Sequence, residues 1–194
     1  MYIWGQEVPL AYERFNQTHV AMLHAFDCGE EEFHEFIIKD SNDGKTVSYC
    51  FVDTNERKLV CYVSLACSGI MREAVLDGFV HEHPRSLLSA IEIKFFVVAA
   101  DYRHLVFSET SKSDETLSVM MFNLIISKLY TISTEIVGAH AVVLYSTPQA
   151  KRFYQKCGMR DFETLMKRAH DDFTDGCIPM YMLFPVGDDE ALER

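Results

Sequence analysis

One run constrains this chain more than any other: Ile91–Val98 is β-rich, apolar except at Glu92 and Lys94, and contains no turn-forming residue. A segment of that kind is read as a central strand of a sheet, with side chains packed on both faces. The elements downstream of it set the architecture. Thr116–Ile132 is helical, with Leu117, Met120, Met121, Leu124, Ile125, Lys128 and Leu129 on the helical repeat. Ala139–Tyr145 is a second buried strand. Pro148–Cys157 is a helix with proline at its start and Gly158 at its end. Pro179–Phe184 closes the series as a last strand. Strand, helix, strand, helix, strand predicts an α/β (α+β) fold on a mixed, twisted central sheet flanked by helices.

The first half supplies more of the same sheet. Val8–Phe15 reads as a first strand. Glu30–Lys39 reads as a helix opened by Gly29, with Phe33, Phe36 and Ile37 on one face, and Ser41–Lys45 as a turn cluster. Val47–Asp53 and Leu59–Ser68 form a hairpin through the polar residues Thr54–Arg57. No repeat or Pro/Gly-rich linker interrupts the chain, so residues 1–186 are expected to be a single domain and 187–194 an acidic tail.

Charge and cysteine content narrow the function. Eighteen Lys and Arg against 29 Asp and Glu give a formal charge of −11, which argues against binding a phosphate backbone and makes nucleic acid an unexpected partner. The longest apolar run, Phe95–Ala100, is too short for a bilayer, and Met1–Gly5 lacks a signal-peptide pattern. A cytoplasmic protein without membrane association is the expectation. The six cysteines include no C-x-x-C pair and read as reduced, mostly buried residues. Cysteines combined with His81 and His83 have the wrong spacing for a zinc finger, so no metal is expected. Neither H-E-x-x-H, G-x-S-x-G nor a Walker A sequence occurs.

The stretch Leu144–Met159 carries the most specific pattern: Ala150, Phe153, Tyr154, Gly158 and Met159 come after a buried strand at fixed spacing. With Glu92–Val98 and Tyr102-Arg103 upstream, the second half resembles the Gcn5-related N-acetyltransferase (GNAT) superfamily. Phe26-Asp27-Cys28-Gly29-Glu30 is similar to the opening of its toxin–antitoxin branch. The resemblance implies a splay between the strand Ile91–Val98 and the strand Ala139–Tyr145. It also implies acetyl-CoA as co-substrate, a primary amine as acceptor, which the charge of −11 narrows to a small or peptidic one, and room for a homodimer or an antitoxin partner. One departure stands out. The family has a glycine-bearing loop after Tyr102-Arg103, whereas no glycine occurs from Asp101 to Leu117 and Val106–Glu115 reads as an insertion. Hydroxyls of Ser111, Ser113, Thr116 and Ser118 then stand in for amides.

The same resemblance assigns roles. Glu92 is a general base for the acceptor ammonium, the alternative being a Glu92–Lys94 pair on the sheet surface. Tyr154 is a general acid for the departing thiolate, the alternative being a tyrosine packed on the core. Val97 and Val98 offer main-chain groups to the pantetheine arm, or are plain strand core. Arg103, His104, Thr116 and Ser118 face the phosphates, or belong to a solvated loop and helix start. Two further readings stay open: a toxin acting on aminoacyl-tRNA, and a catalytically silent GNAT-fold binding module.

Overall fold

The computed structural model describes residues 2–3, 6–7, 9–72, 75–76, 79–80, 85–106, 116–163, 166–167 and 176–185. In chain order the strands and helices are β1 (Tyr2–Ile3), β2 (Gln6–Glu7), β3 (Leu10–Arg14), α1 (Val20–His24), α2 (Glu31–Asp43), β4 (Val47–Asp53) and β5 (Lys58–Arg72). They continue with β6 (Val75–Leu76), β7 (Phe79–Val80), β8 (Arg85–Val98), α3 (Leu117–Ile132), β9 (Ala141–Ser146), α4 (Lys151–Lys156), β10 (Arg160–Asp161), β11 (Met166–Lys167) and β12 (Ile178–Leu183). The result is the expected α/β class: a mixed sheet with helices. The residues group into two compact units, 1–66 with 93–125, and 67–92 with 126–194. The strands β5 and β8 and the helix α3 each run from one into the other.

In the first unit the sheet order is β8-β5-β4-β3. The β3–β4 and β4–β5 pairs are antiparallel, and the β4–β5 register shifts between Phe51 and Val52. The β4–β5 turn closes when Asp53 Oδ1 accepts the amides of Asn55 and Glu56, at 2.9 and 3.1 Å, which leaves Arg57 left-handed at φ 53°. One core cluster joins Leu23, Phe26, Ile37, Cys50, Val52, Leu59, Tyr62, Phe95 and Val97, with Phe33 stacked edge-on against Phe95.

The sequence reading of α2 needs two corrections. The helix runs on through Ser41–Asp43, residues expected to be a turn. Ser41 Oγ and Asn42 Nδ2 both donate to the Ile38 carbonyl, so these polar residues cap the helix from within, and Gly44 ends it at φ 68°. Its buried stripe is also shifted. Phe36 lies at the exposed edge, and Asp40 takes the inward position one turn beyond Ile37.

Asp40 is 4% exposed, and one of its two oxygens is satisfied there by hydroxyls of the sheet and of Thr46. Its Oδ2 accepts from Ser64 Oγ at 2.5 Å, Thr46 Oγ1 at 3.1 Å and Tyr62 Oη at 3.2 Å, and Tyr62 Oη is bonded in turn to Ser48 Oγ at 2.8 Å. Lys94 Nζ lies 3.0 Å from Oδ1, close enough for an ion pair but not aligned as a hydrogen bond. Strict strand alternation would set Lys94 and Phe95 on opposite faces, yet both reach α2, Lys94 at Asp40 and Phe95 at Phe33. Burial pushes the Tyr62 phenol well above its ordinary value, and the Asp40 charge adds to the shift.

In the second unit the order is β8-β9-β12-β10, with β11 antiparallel on the far end of β5. β9 and β12 pair antiparallel over their full length, from Ile178 opposite Ser146 to Leu183 opposite Ala141. Ser89 O accepts the His140 amide at 2.9 Å, tying the start of β9 to β8 as neighbouring strands. The core here is Ile70, Ala90, Ala141, Val143 and Tyr181, with Phe162 stacked edge-on against Tyr181.

Leu117–Val137 forms one continuous helical segment, α3 plus a wider turn at Ser133–Val137, and is long and apolar enough by length and composition to cross a membrane. Its Leu117, Met121, Phe122, Ile125 and Leu129 are at most 1% exposed, which marks a core helix whose apolar stripe is already covered. The expected cysteine burial holds for Cys28, Cys50 and Cys61, whereas Cys67 is exposed and Cys157 and Cys177 are half-buried. His81, His83, Ser111 and Ser113 lie outside the described residues.

Candidate active site

The phosphate-side candidates all lie at the corner where β8 ends. Ala99 donates its amide to Val60 O at 2.9 Å. Backbone groups alternate sides along a strand, so Val97 turns its amide and carbonyl the same way, toward β5, and Val98 turns its own outward. Consistent with that, Val98 O lies 3.5 Å from Arg103 Nη2. Of the two valines named from the sequence, Val98 therefore has the outward main-chain edge, while both side chains are buried.

Arg103 is half-buried, and its Nη2 donates to the Cys28 carbonyl at 2.7 Å. His104 is exposed. The first turn of α3 is largely self-contained. Leu117 N donates to Leu105 O at 2.7 Å, Ser118 Oγ to Arg103 O at 2.9 Å, and Val119 N to Thr116 Oγ1 at 3.5 Å. Thr116 thus acts as an N-cap, and Ser118, 6% exposed, pins the helix to the corner. Both hydroxyls are therefore engaged within the corner itself.

The second group stands on α4. The expected helix from Pro148 begins later: Thr147–Ala150 forms a turn in which Thr147 O and Oγ1 both accept the Ala150 amide, and the α-helix is Lys151–Lys156. Its end explains the motif spacing. Met159 N donates to Tyr154 O and Gly158 N to Gln155 O, each at 3.0 Å, with Gly158 at φ 90°. That is a Schellman closure, in which the residue five before the one following the glycine must supply the carbonyl. Tyr154 is that residue, and Ala150, four before it, accepts the Tyr154 amide at 3.2 Å. A side chain at Gly158 would also sit 3.3 Å from Met182 Cε. Tyr154 is half-buried, its ring edge-on to Phe153 at 5.1 Å between centroids. Glu92, on β8, is half-buried. Neither Tyr154 nor Glu92 is without a partner.

Sequence reasoning missed two features here. Lys94 Nζ lies 3.0 Å from Asp40 Oδ1, a partner the sequence did not suggest. The second is the hydrogen-bonded seat of Asp27–Gly29 on the corner. Ala100 N donates to Asp27 O at 2.9 Å, and Gly29 N to Asp27 Oδ1 at 2.7 Å. The signal for it was present in Asp27-Cys28-Gly29, read as a family opening and, at Gly29, as the start of a helix. Among the described residues no group of His, Cys, Asp and Glu is placed to hold a metal.

No protein-family model matches this chain, and no curated protein does. Solved structures do match. A bacterial toxin superposes with a TM-score of 0.62 at 12% identity, covering 91% of this chain and 92% of the toxin. AtaTR bound with AcCoA gives 0.64 at 15% identity over 90% and 93%. AtaT complexed with acetyl-methionyl-tRNAfMet gives 0.58 at 16% identity over 91% and 95%. At these identities the likeness is one of fold. The chain has the GNAT fold that the spacing around Tyr154 implied.

Proposed function

We propose that this chain is an N-acetyltransferase that moves an acetyl group from acetyl-CoA to a primary amine by direct attack. The observation that carries the reading is the closed helix Lys151–Lys156, with the Tyr154 carbonyl as the acceptor of its Schellman end, on a GNAT fold. Acetyl-CoA supplies the thioester. The described residues suit its pantetheine arm better than its pyrophosphate: the outward peptide edge of Val98 matches an extended amide chain, while the Ser118 hydroxyl and Leu117 amide are already engaged. Among the described residues of this corner, Arg103 and His104 are the groups proposed to meet the phosphates.

In this reading the Glu92 carboxylate takes a proton from the acceptor ammonium, directly or through water. An amine is mostly protonated at neutral pH and cannot attack until it loses that proton. The Tyr154 hydroxyl gives a proton to the thiolate as it leaves. The choice of tyrosine has outside support, since solved structures of similar fold include tyrosine-to-phenylalanine variants of AtaT and of KacT.

A second reading has its own observation. From Lys151 to Arg160 the chain carries Lys151, Arg152, Lys156 and Arg160 and no acidic residue, a local cationic run hidden within the overall charge of −11. Total charge is therefore a weak guide to partners here. AtaT is seen with acetyl-methionyl-tRNAfMet and with the C-terminus of its antitoxin AtaR. We infer that an aminoacyl-tRNA acceptor and an antitoxin partner fit this chain as well as a small amine does.

The test is calorimetry with acetyl-CoA, then transfer from labelled acetyl-CoA to small amines, peptides and charged tRNA at physiological salt. Binding with transfer to any of these supports the acetyltransferase, and the acceptor labelled decides between the two readings. No binding at millimolar acetyl-CoA leaves a silent binding module.

A further inference from the structure

Arg103 connects three elements. Its side chain reaches Cys28 O at 2.7 Å and Val98 O at 3.5 Å, and its own carbonyl accepts Ser118 Oγ at 2.9 Å. We propose that Arg103 is a positioning residue that latches Asp27–Gly29, and through it the start of α2, onto the corner Ala99–Arg103. This rests on the acetyltransferase reading only for its effect on turnover; the latch itself is a property of the fold.

The chemistry of the segment supports a latch. Cys28 is 3% exposed, and a carbonyl at such a residue needs a donor that water cannot easily supply. A guanidinium provides it with a charge-assisted bond and a rigid fork able to serve a second carbonyl, which a lysine ammonium does not match. The segment is shaped to be gripped. Asp27 folds back on the Gly29 amide, and Gly29 sits at φ 76°, a left-handed conformation that glycine adopts without strain. Cys28 Sγ donates to Glu30 O at 3.2 Å, carrying the constraint into the first turn of α2. The Ala100 amide donates to Asp27 O at 2.9 Å, so the grip runs in both directions along the chain.

A phosphate ligand and a latch make different predictions, and the full-length protein separates them. The variants are Arg103→Ala, Arg103→Lys and Gly29→Ala, the last strained at its left-handed φ but leaving every cation in place. Two readouts are needed: hydrogen exchange without ligand at the amides of Gly29 and Ala100, and kcat/KM with acetyl-CoA against S-acetylpantetheine, which lacks the pyrophosphate. For a latch, Arg103→Ala and Gly29→Ala each speed exchange at both amides. Each lowers kcat/KM by about 10-fold or more for S-acetylpantetheine as well as for acetyl-CoA, as expected when the Val98 edge that aligns the pantetheine arm is displaced rather than a phosphate ligand alone lost. Arg103→Lys restores little, and adding Gly29→Ala to Arg103→Ala costs little more. The proposal is overturned if Arg103→Ala leaves exchange at Gly29 and Ala100 unchanged, if only acetyl-CoA suffers, or if lysine restores wild-type behaviour. Should the wild type transfer from neither donor, the acetyltransferase reading falls, while the exchange measurement still decides the latch. If Arg103→Ala does not fold, Gly29→Ala and Arg103→Lys carry the same comparison.

Discussion

Removing the Asp40 carboxylate is expected to destabilise the protein through one orphaned hydroxyl, and the contacts set the magnitude. Asp40→Ala takes the acceptor from three donors. Tyr62 Oη keeps Ser48 at 2.8 Å, and Thr46 is half-buried and can turn to water. Ser64 is 0% exposed and has nowhere to turn, so its hydroxyl is left buried and unpaired at about 1–3 kcal/mol. Two effects oppose the loss of the remaining charge-assisted bonds: alanine is the better helix former by about 0.5 kcal/mol, and a carboxylate no longer needs desolvating. A net cost of about 2–3 kcal/mol results, or roughly 4–12 °C in Tm for a chain of this length.

Lys94→Met should cost less, about 1–2 kcal/mol after discounting for solvent screening. Its side chain is 34% exposed, and three hydroxyls still hold the carboxylate. The decisive measurement is a double-mutant cycle by urea unfolding. Ser64→Ala should cost about 1 kcal/mol in the wild type but be neutral or stabilising beside Asp40→Ala, because it removes the orphan. Equal effects of Ser64→Ala in both backgrounds, or an Asp40→Ala cost below about 0.5 kcal/mol, would refute the reasoning.

Tyr154→Phe should lower turnover by about 10²–10⁴-fold while Tm and acetyl-CoA affinity hold; near-normal turnover would mean that the thiolate leaves unassisted or through water. Glu92→Gln should show a defect that shrinks as pH rises, since more acceptor amine is then already neutral, and a pH-independent defect would remove Glu92 as base. Gly158→Ala should cost about 1–2 kcal/mol in urea unfolding, from a φ of 90° and a 3.3 Å approach to Met182 Cε; an unchanged midpoint would contradict the left-handed closure. Burial pushes the Cys50 thiol up to about 12 and the Cys157 thiol up to about 11, both above their ordinary 9.0. The folded state holds those protons while the unfolded chain releases them first, so this stability is complete below about pH 9 and is lost as pH rises toward 11–12. Thermal melts across that window should fall with pH, and Cys50→Ala should flatten the decline; an unchanged slope would show that Cys50 does not contribute.

What the sequence made legible depended on how local its cause was. Ala150, Phe153, Tyr154, Gly158 and Met159 could be read together because one turn of backbone bonding fixes their spacing. The strand Ile91–Val98 was equally plain, since β-branched and aromatic residues run through it without a turn former, interrupted only by Glu92 and Lys94. The inward face of α2 was misjudged at Phe36 because apolar periodicity has no place for a buried carboxylate. Asp40 is made acceptable by Thr46, Tyr62 and Ser64, six to twenty-four residues away, and nothing local announces them. The resemblance named Arg103 for the phosphates, and nothing local announces its bond to the Cys28 carbonyl, 75 residues earlier. Pro148 misled for a smaller reason: Thr147 captures the Ala150 amide and holds the proline in a turn ahead of the helix.

The closed end of α4 also behaves as a ruler. Its two endpoints, the Ala150 carbonyl and the left-handed Gly158, are both committed to bonds with Tyr154, one through its amide and one through the turn that returns Met159 to its carbonyl. Lengthening or shortening the interval by one residue would turn the phenol by about 100° around the helix axis. Substitutions at Gln155 or Lys156, both exposed, leave that interval intact. Along this stretch the count of residues is held more tightly than their identity, so the chain can change its letters there but not its length.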